Sequence, residues 1–496
     1  MTDAAFAKSR AIARIREALR VDATQARGPT EARGESEWCG ARATWKRTTD
    51  EEGNVTLAIE SAALSRSTGV RGGVGWEVDE SGASNVLELA NLEELIVTSA
   101  VADGRWLLEG TELAVEVASI DASAIVLLLS ASADAVIRYR LTIDGTTFLP
   151  RRLERVGRED AFVRYEDWMP GPFGLVPRRT IAREAWLEDV FVTHAIERIA
   201  ALPDAPSTTS AAASWTEHPL EQRTTRRRLP LVRARVDDAA AGWFLLDTGA
   251  GSLAIDASEA PNLPAVGRRL VRTSTDQVGA TLRRGRSLHV GPLTMPSPLY
   301  LELELSPFGG ALGVRLAGVL GYDLFRNAVV AIDGDRVELL RDAPALDDWV
   351  PLRFEDRRPA IALRFPGIEG EAEGLFALDT GSATAITIHS GAAPLLSLRG
   401  GARASLRGIG SSTGSARART LAWVELAGQR FEDIDAIVAG SGAGVTGEIQ
   451  AARTGRGIMG SIGMGLLSDV TTVLDYARRR ASFRRRKRAA LRAPLR

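Results

Sequence analysis

One short pattern occurs twice in this chain and limits what it can fold into. Asp-Thr-Gly stands at residues 247–249 and again at 379–381, each time after an apolar run: Trp243-Phe-Leu-Leu before the first copy and Leu375-Phe-Ala-Leu before the second. Apolar runs of this length predict buried strands, and the glycine favours a tight turn. A single tripeptide arises by chance, but two copies in matched context predict a duplicated unit.

A second segment repeats further along. Gly318-Val-Leu-Gly321 is followed 12 positions later by Asp333, and Gly460-Ser-Ile-Gly463 is followed 12 positions later by Asp475. The Asp-Thr-Gly motifs are 132 positions apart and the later glycines 142, so the second copy carries ten extra residues. The Gly/Ser-rich stretch 407–414 is the expected place for them, because glycine-rich tips join strands at low steric cost.

Each position of the motif has a chemical task. The carboxylate must project from the turn into a cleft, and the glycine lets backbone N–H groups approach it. The threonine hydroxyl can hydrogen-bond across to the partner turn. Ser382 can donate to the outer carboxylate oxygen of its own turn, whereas Ala250 at the matching position cannot. The two turns are therefore expected to differ.

With these motifs, residues 227–485 resemble the retropepsin-like aspartic proteases, the clan of pepsins and retroviral proteases. The family pattern of apolar residues, Asp-Thr-Gly and Ala or Ser is present twice. Its second landmark, two apolar residues and a glycine, matches 319–321 in the first copy. In the second copy it is either 458–460, favoured by the apolar pattern, or 461–463, favoured by the spacing to Asp475.

The resemblance implies a mechanism. In this family two like-charged carboxylates about 3 Å apart cannot both ionise, so the pair shares one proton and titrates as a unit. One carboxylate activates a water and the protonated one polarises the scissile carbonyl, with no metal, cofactor or covalent intermediate. The residues that the resemblance assigns are Asp247 and Asp379 as the catalytic pair, Thr248 and Thr380 as braces, and Gly249, Gly381 and Ser382 as orienting groups.

Both aspartates lie on one chain, so a monomer with an intramolecular pseudo-dimer is expected, acting on a peptide or protein substrate. Pepsins carry a tyrosine in the first flap, but 271–285 contains none. The candidate flaps are 273–283 and 408–415. Three alternatives stay open: a plain turn in which Asp bonds its own backbone, an inactive binding module of the same fold, and a lipid or peptide carrier that uses the N-terminal region.

The first 200 residues form a block of their own. Ile12, Ile15 and Leu19 recur at helical spacing, and Asp144-Gly145 between β-prone runs predicts a hairpin. A helix packed on an antiparallel sheet is the expected α+β fold. With its turn at 75–79 and its Leu-Pro-Arg at 149–151, the block resembles the half-barrels of bacterial lipoprotein carriers, which bind lipid or peptide on an open apolar sheet.

The predicted layout is multidomain, an N-terminal α+β domain followed by a bilobal all-β, acid-protease-like domain. The expected boundaries are 1–200 for the α+β domain, 201–226 for an Ala/Ser/Thr/Pro-rich linker, 227–346 for lobe 1, 347–485 for lobe 2 and 486–496 for a basic tail.

Composition limits which binding partners and metal sites are expected. Lys and Arg total 62 against 63 Asp and Glu, a balance that does not call for nucleic acid. One cysteine and four scattered histidines predict neither an internal disulfide nor a structural zinc site. No transmembrane run and no signal-peptide core occur. The expected location is cytoplasmic if the start is correct, and periplasmic or exported if an upstream signal precedes it, in a bacterial-type protein.

Overall fold

The structure, a computed structural model, describes residues 3–25, 27–111, 113–203, 212–260, 262–273, 277–409, 413–440 and 457–486. The chain divides into two compact units. The first comprises Met1–Ser210, Val266–Val271 and Gly279–Leu282, and the second comprises Ala211–Ala265, Arg272–Val278 and Arg283–Arg496. Among the described residues, no helix is both long and apolar enough to cross a membrane.

In its described residues, the first unit is built on one antiparallel sheet of 13 strands. Its strands are β1 (Thr30–Trp38), β2 (Ala41–Thr49), β3 (Val55–Ser61), β4 (Ser65–Arg71), β5 (Val74–Val78), β6 (Ser84–Leu87), β7 (Ala114–Ile120), β8 (Ala124–Ser130), β9 (Tyr139–Asp144), β10 (Pro150–Arg155), β11 (Ala161–Gly171), β12 (Gly174–Glu184) and β13 (Leu187–Arg198). Their order across the sheet is β6-β5-β4-β3-β2-β1-β13-β12-β11-β10-β9-β8-β7.

Two helices, α1 (Asp3–Leu19) and α2 (Leu89–Asp103), pack on this sheet, and a 3-10 turn follows at Arg105–Leu107. Ile15 and Leu19 of α1 are fully buried in one apolar cluster with Leu127 and Leu141 of the sheet. The predicted helix on an antiparallel sheet is therefore confirmed. Residues 75–78, expected in a turn, instead lie in β5, where backbone pairing to both neighbours keeps them extended.

Within the described residues, the region from 212 to 486 contains three sheets. The strands of its first half are β14 (Ser214–Trp215), β15 (Gln222–Thr224), β16 (Pro230–Val236), β17 (Gly242–Leu246), β18 (Leu253–Asp256), β19 (Ala265–Arg272), β20 (Gln277–Arg284), β21 (Ser287–Val290), β22 (Leu293–Pro296), β23 (Leu299–Leu303), β24 (Leu316–Leu320), β25 (Val329–Asp333) and β26 (Arg336–Leu340). Its first helices are α3 (Ser306–Leu312) and α4 (Tyr322–Asn327).

The second half begins with β27 (Val350–Pro351). It continues with β28 (Arg353–Glu355), β29 (Arg358–Gly367), β30 (Gly370–Asp379), β31 (Ile386–Ile388), a 3-10 turn at Ala393–Leu395, β32 (Leu398–Arg407), β33 (Thr413–Leu426), β34 (Gln429–Ala439), β35 (Ile458–Gly463), helix α5 (Met464–Leu467), β36 (Val470–Asp475) and β37 (Arg480–Arg485).

The two halves repeat one topology. The run β16-β17-β24-β18-β23-β20-β19 in one sheet matches β29-β30-β35-β31-β34-β33-β32 in the other. In each half the strand before Asp-Thr-Gly lies parallel to the strand that carries the later glycines, β17 with β24 and β30 with β35. A third sheet, β26-β25-β36-β37-β27, joins the ends of both halves. The predicted bilobal all-β architecture is confirmed.

The ten extra residues of the second half do not lie where the sequence suggested. Strand register makes Tyr300 equivalent to Ala436 and Gly318 equivalent to Gly460. From Tyr300 to Gly318 is 18 positions, but from Ala436 to Gly460 is 24. Six extra residues therefore belong to the connection between β34 and β35. The expectation that 407–414 holds the insertion is wrong for most of it, because glycine content does not reveal strand register.

Part of the expected linker is strand. Residues 214–215 pair with β22 and residues 222–224 with β16. Backbone pairing needs no apolar side chains, so composition could not indicate it. Residues 204–211 of the expected linker and 487–496 of the expected basic tail lie outside the described residues.

Candidate active site

The two Asp-Thr-Gly turns begin where buried strands end. Leu246, the last residue of β17, is fully buried, as is Leu378 in β30. The backbone N–H of Asp247 donates to Leu320 O at 3.0 Å, which fixes the turn against β24. Apolar side chains on both faces of these strands hold them inside their lobes, so the aspartates emerge at a fixed place.

The two turns interlock through their threonines. The N–H of Thr248 donates to Thr380 Oγ1 and the N–H of Thr380 donates to Thr248 Oγ1, both at 3.0 Å. Each hydroxyl donates in turn to a carbonyl of the opposite strand, Thr248 to Leu378 O and Thr380 to Leu246 O, both at 2.8 Å. Residues 132 positions apart are thereby held by four reciprocal hydrogen bonds.

The glycines leave room for the opposite carboxyl. A Cβ at Gly381 would lie 2.5 Å from Oδ2 of Asp247, and one at Gly249 would lie 2.8 Å from Oδ1 of Asp379. No side chain fits at either position without moving a carboxyl group. The result is that Asp247 and Asp379 face each other and their carboxyl groups share a hydrogen bond.

Burial sets the charge of this pair. Loss of hydration raises the pKa of Asp379 to about 8, and the neighbouring charge of Asp247 adds to the rise, while Arg358 opposes it. Burial also raises the pKa of Asp247, but the N–H of Gly249, which donates to its Oδ1 at 2.8 Å, stabilises the anion. Asp247 is thus the better anion and Asp379 the better proton holder.

The two turns differ at the residue after the glycine. The Ser382 hydroxyl was expected to donate to the outer oxygen of Asp379. In the structure it instead lies 2.8 Å from the Thr384 hydroxyl, which lies 3.0 Å from the Thr387 hydroxyl. Ala250 begins no such chain. Thr384 competes for the serine hydroxyl because it lies two residues away on the same loop, and the expectation had considered only the neighbouring aspartate.

The structure resolves the second landmark in favour of Gly463. Gly321 N–terminal to α4 and Gly463 N-terminal to α5 occupy matched places: a Cβ would lie 2.3 Å from Ser252 O at the first and 2.4 Å from Thr384 O at the second. Asp379 pairs with Gly463 in the register of β30 with β35. The apolar pattern that favoured 458–460 marks the buried strand itself.

Two features near the pair were missed from the sequence. Arg358 opens β29, and its charge acts on Asp379. An aromatic cluster of Tyr322, Phe325, Phe354 and Tyr476 has ring centroids 5.1 to 5.9 Å apart. Tyr322 directly follows Gly321, which was a usable signal. No local sequence pattern marks Phe354, Tyr476 or Arg358. Folding brings Phe354 and Tyr476 to Tyr322, and it brings the charge of Arg358 to Asp379.

The candidate flaps correspond to two hairpins. Residues 273–283 cover the connection of β19 with β20 and most of β20, and residues 408–415 cover the connection of β32 with β33 and the start of β33. The tips at 274–276 and 410–412 lie outside the described residues. Across the described ranges, no group of three or more His, Cys, Asp or Glu is arranged to hold a metal ion.

Comparisons with known proteins give structural neighbours only. No protein-family model matches the chain, and no curated protein sequence matches it. A LolA superfamily protein from Nitrosomonas europaea is similar at 17% identity and a TM-score of 0.28, over 39% of this chain and 94% of that one. An aspartic proteinase from Irpex lacteus is similar at 13% identity and a TM-score of 0.34, over 54% of this chain and 97% of that one. The chain is mostly β and multidomain, with distant structural neighbours in these two groups.

Proposed function

We propose that this chain is an aspartic-type endopeptidase that hydrolyses peptide bonds with a water activated by Asp247 and Asp379. The observation that carries the proposal is the pairing of two carboxyl groups, joined by a hydrogen bond, on turns that the threonines interlock. Paired acids with raised pKa values are the arrangement that general acid–base catalysis near neutral pH requires.

The difference between the two acids assigns their roles at the start of the reaction. Asp247, whose anion accepts a hydrogen bond from the N–H of Gly249, takes a proton from the water. At the same time the water oxygen attacks the scissile carbonyl carbon. Asp379, whose pKa is raised to about 8, gives its proton to the carbonyl oxygen. A neutral tetrahedral diol forms, and the two acids have exchanged protonation states.

Collapse of the diol returns the pair to its first state. Asp247 gives its proton to the amide nitrogen as the C–N bond breaks, and one diol hydroxyl returns a proton to Asp379. One water is consumed and one peptide bond is cleaved. Thr248 and Thr380 would keep the carboxyl groups at their spacing throughout, since both are buried and bonded across the lobes.

Digestion of a peptide library from acidic to mildly alkaline pH tests the proposal, with and without a statine-type transition-state mimic. We expect mimic-sensitive cleavage by the wild-type chain and none by Asp247→Asn or Asp379→Asn. Asp342→Asn, at an exposed carboxylate, is the matched control and should cleave normally. Full activity in either dyad variant would contradict the assignment, and no mimic-sensitive cleavage at any pH would favour a binding module.

The N-terminal α+β unit is a second subject for experiment. If its resemblance to lipoprotein carriers extends to function, organic extraction of the purified chain should yield bound lipid. An extract without lipid would leave a structural or peptide-presenting role for the unit.

A further inference from the structure

Arginines line one face of the β32–β33 hairpin. Arg403 lies directly opposite Arg417 in the register of the two strands, and Arg417 lies directly opposite Val438 of β34. Residues directly opposite each other in a sheet project from the same face, and so do residues two apart on one strand. Arg403, Arg417, Arg419 and Val438 therefore share one face of this sheet.

The placement of Arg403 opposite Arg417 destabilises the hairpin when no partner is bound. Like charges directly opposite each other on antiparallel strands destabilise the pairing. Arg403 and Arg417 are both exposed, and among the described residues neither side chain has an ion pair or hydrogen bond. Arg399 of the same strand differs, because it pairs with Asp433 at 2.9 Å. Two arginines on one sheet face, with no counter-charge for either among the described residues, would attract an anionic partner.

An apolar groove adjoins these arginines on the same face. It encloses about 470 Å³, and Ile368, Pro394, Leu396, Leu398, Arg419 and Val438 are among its lining residues. Ile368 at its edge is 68% exposed. The groove is within the size range of sites that hold one bulky group.

Arg419 connects the groove to the arginine pair. Its Nη1 donates to Gly400 O, but its Nε is buried and has no hydrogen-bond partner among the described residues. A buried donor without a partner costs free energy, and a carboxylate is the acceptor that a guanidinium matches best. The groove therefore combines mainly apolar side chains with Ser390, Ser397 and the guanidinium group of Arg419.

We propose that this face of the second lobe is a docking site for an acidic, extended polypeptide segment. An apolar side chain of the segment would occupy the groove beside Ile368, and its carboxylates would pair with Arg419, Arg417 and Arg403. Nucleic acid fits less well, because the described residues that line the groove include no aromatic side chain on which a base could stack. The lining of the groove does not include the paired aspartates, so the proposal does not depend on their hydrolysing peptide bonds.

Fluorescence anisotropy tests this site with the full chain carrying Asp379→Asn, so that the probe stays intact. The probe is a labelled peptide of three leucines followed by four glutamates, and its counterpart has glutamines in place of the glutamates. We expect the glutamate peptide to bind at least about tenfold more tightly, and rising salt to remove the difference, since exposed charges are screened. Arg403→Glu/Arg417→Glu should abolish the preference, and Ile368→Ser should weaken both peptides.

Arg315→Glu, at an exposed arginine on the first lobe that pairs with Glu259, is the charge-reversal control and should bind as the parent chain does. Equal binding of the two peptides, or an unchanged preference in the Arg403/Arg417 double variant, would overturn the proposal. Tighter binding of a single-stranded oligonucleotide than of the glutamate peptide would also overturn it. Circular dichroism of each variant establishes that the chain is folded.

Discussion

Thr248 and Thr380 exchange hydrogen bonds symmetrically: each N–H donates to the other's hydroxyl at 3.0 Å. Both residues are 1% exposed, so water cannot replace a lost partner. This relationship holds the two lobes in one register, and the position of the carboxyl pair depends on it.

Thr248→Val tests the contribution of this lock to stability. Valine has nearly the same shape but leaves the N–H of Thr380 and the carbonyl of Leu378 without partners. We expect a loss of about 2 to 6 kcal/mol in the free energy of unfolding, since each of the two buried unsatisfied groups costs about 1 to 3 kcal/mol. Urea denaturation measures it. Thr248→Ser keeps the hydroxyl and should recover most of the loss; equal destabilisation by serine and valine would contradict the role of the hydroxyl.

Stability should fall as pH rises from about 4 to about 8. The pKa of Asp379 is raised in the folded chain from 3.8 to about 8. Between these values the folded state holds a proton that the unfolded state has released, so each rise in pH favours unfolding. The stabilising contribution of this bound proton is complete below the unfolded pKa of 3.8 and is lost above the folded pKa of about 8. Thermal melts across this range measure the trend.

Asp379→Asn, which resembles the protonated acid, should flatten this dependence and be more stable than the wild type above pH 8. Asp342→Asn is the control and should keep the wild-type slope. A wild-type slope in Asp379→Asn would mean that other groups cause the dependence.

Arg358 should set the alkaline limit of activity. Its charge lowers the pKa of Asp379 and partly offsets the effects of burial and of Asp247. Arg358→Met should therefore raise that pKa further and move the alkaline limb of kcat/KM to higher pH. Arg358→Lys, which keeps the charge, should restore the limb towards its wild-type position. A limb that stays in place in Arg358→Met would show that the arginine does not act on the pair.

Gly463→Ala should disturb the second turn. The new Cβ would lie 2.4 Å from Thr384 O and 2.7 Å from Ser382 O, so the backbone beside Asp379 must shift. We expect a loss of about 1 to 3 kcal/mol, typical of overpacking, and reduced hydrolysis. Gly310→Ala in α3 is the matched control, because no atom lies within 4 Å of its Cβ. If both variants were equally stable, Gly463 would not be the landmark that supports the turn.

The sequence by itself determined the repeated architecture. Apolar strands, Asp-Thr-Gly turns and the later glycines are local patterns, and their recurrence at matched spacing predicted two β lobes with Asp247 and Asp379 at equivalent places. The α1 helix was predicted in the same way, from the spacing of Ile15 and Leu19.

The tertiary structure alone decided the contacts between distant segments. It selected Gly463 over Gly460 as the second landmark. It also brought the charge of Arg358 to bear on Asp379 and placed Arg403 opposite Arg417. Strand register fixes all three, and register arises from backbone pairing between segments far apart in the chain. Residue type and local spacing carry little information about that pairing. The sequence therefore identified the two aspartates but not the groups that shift their pKa values.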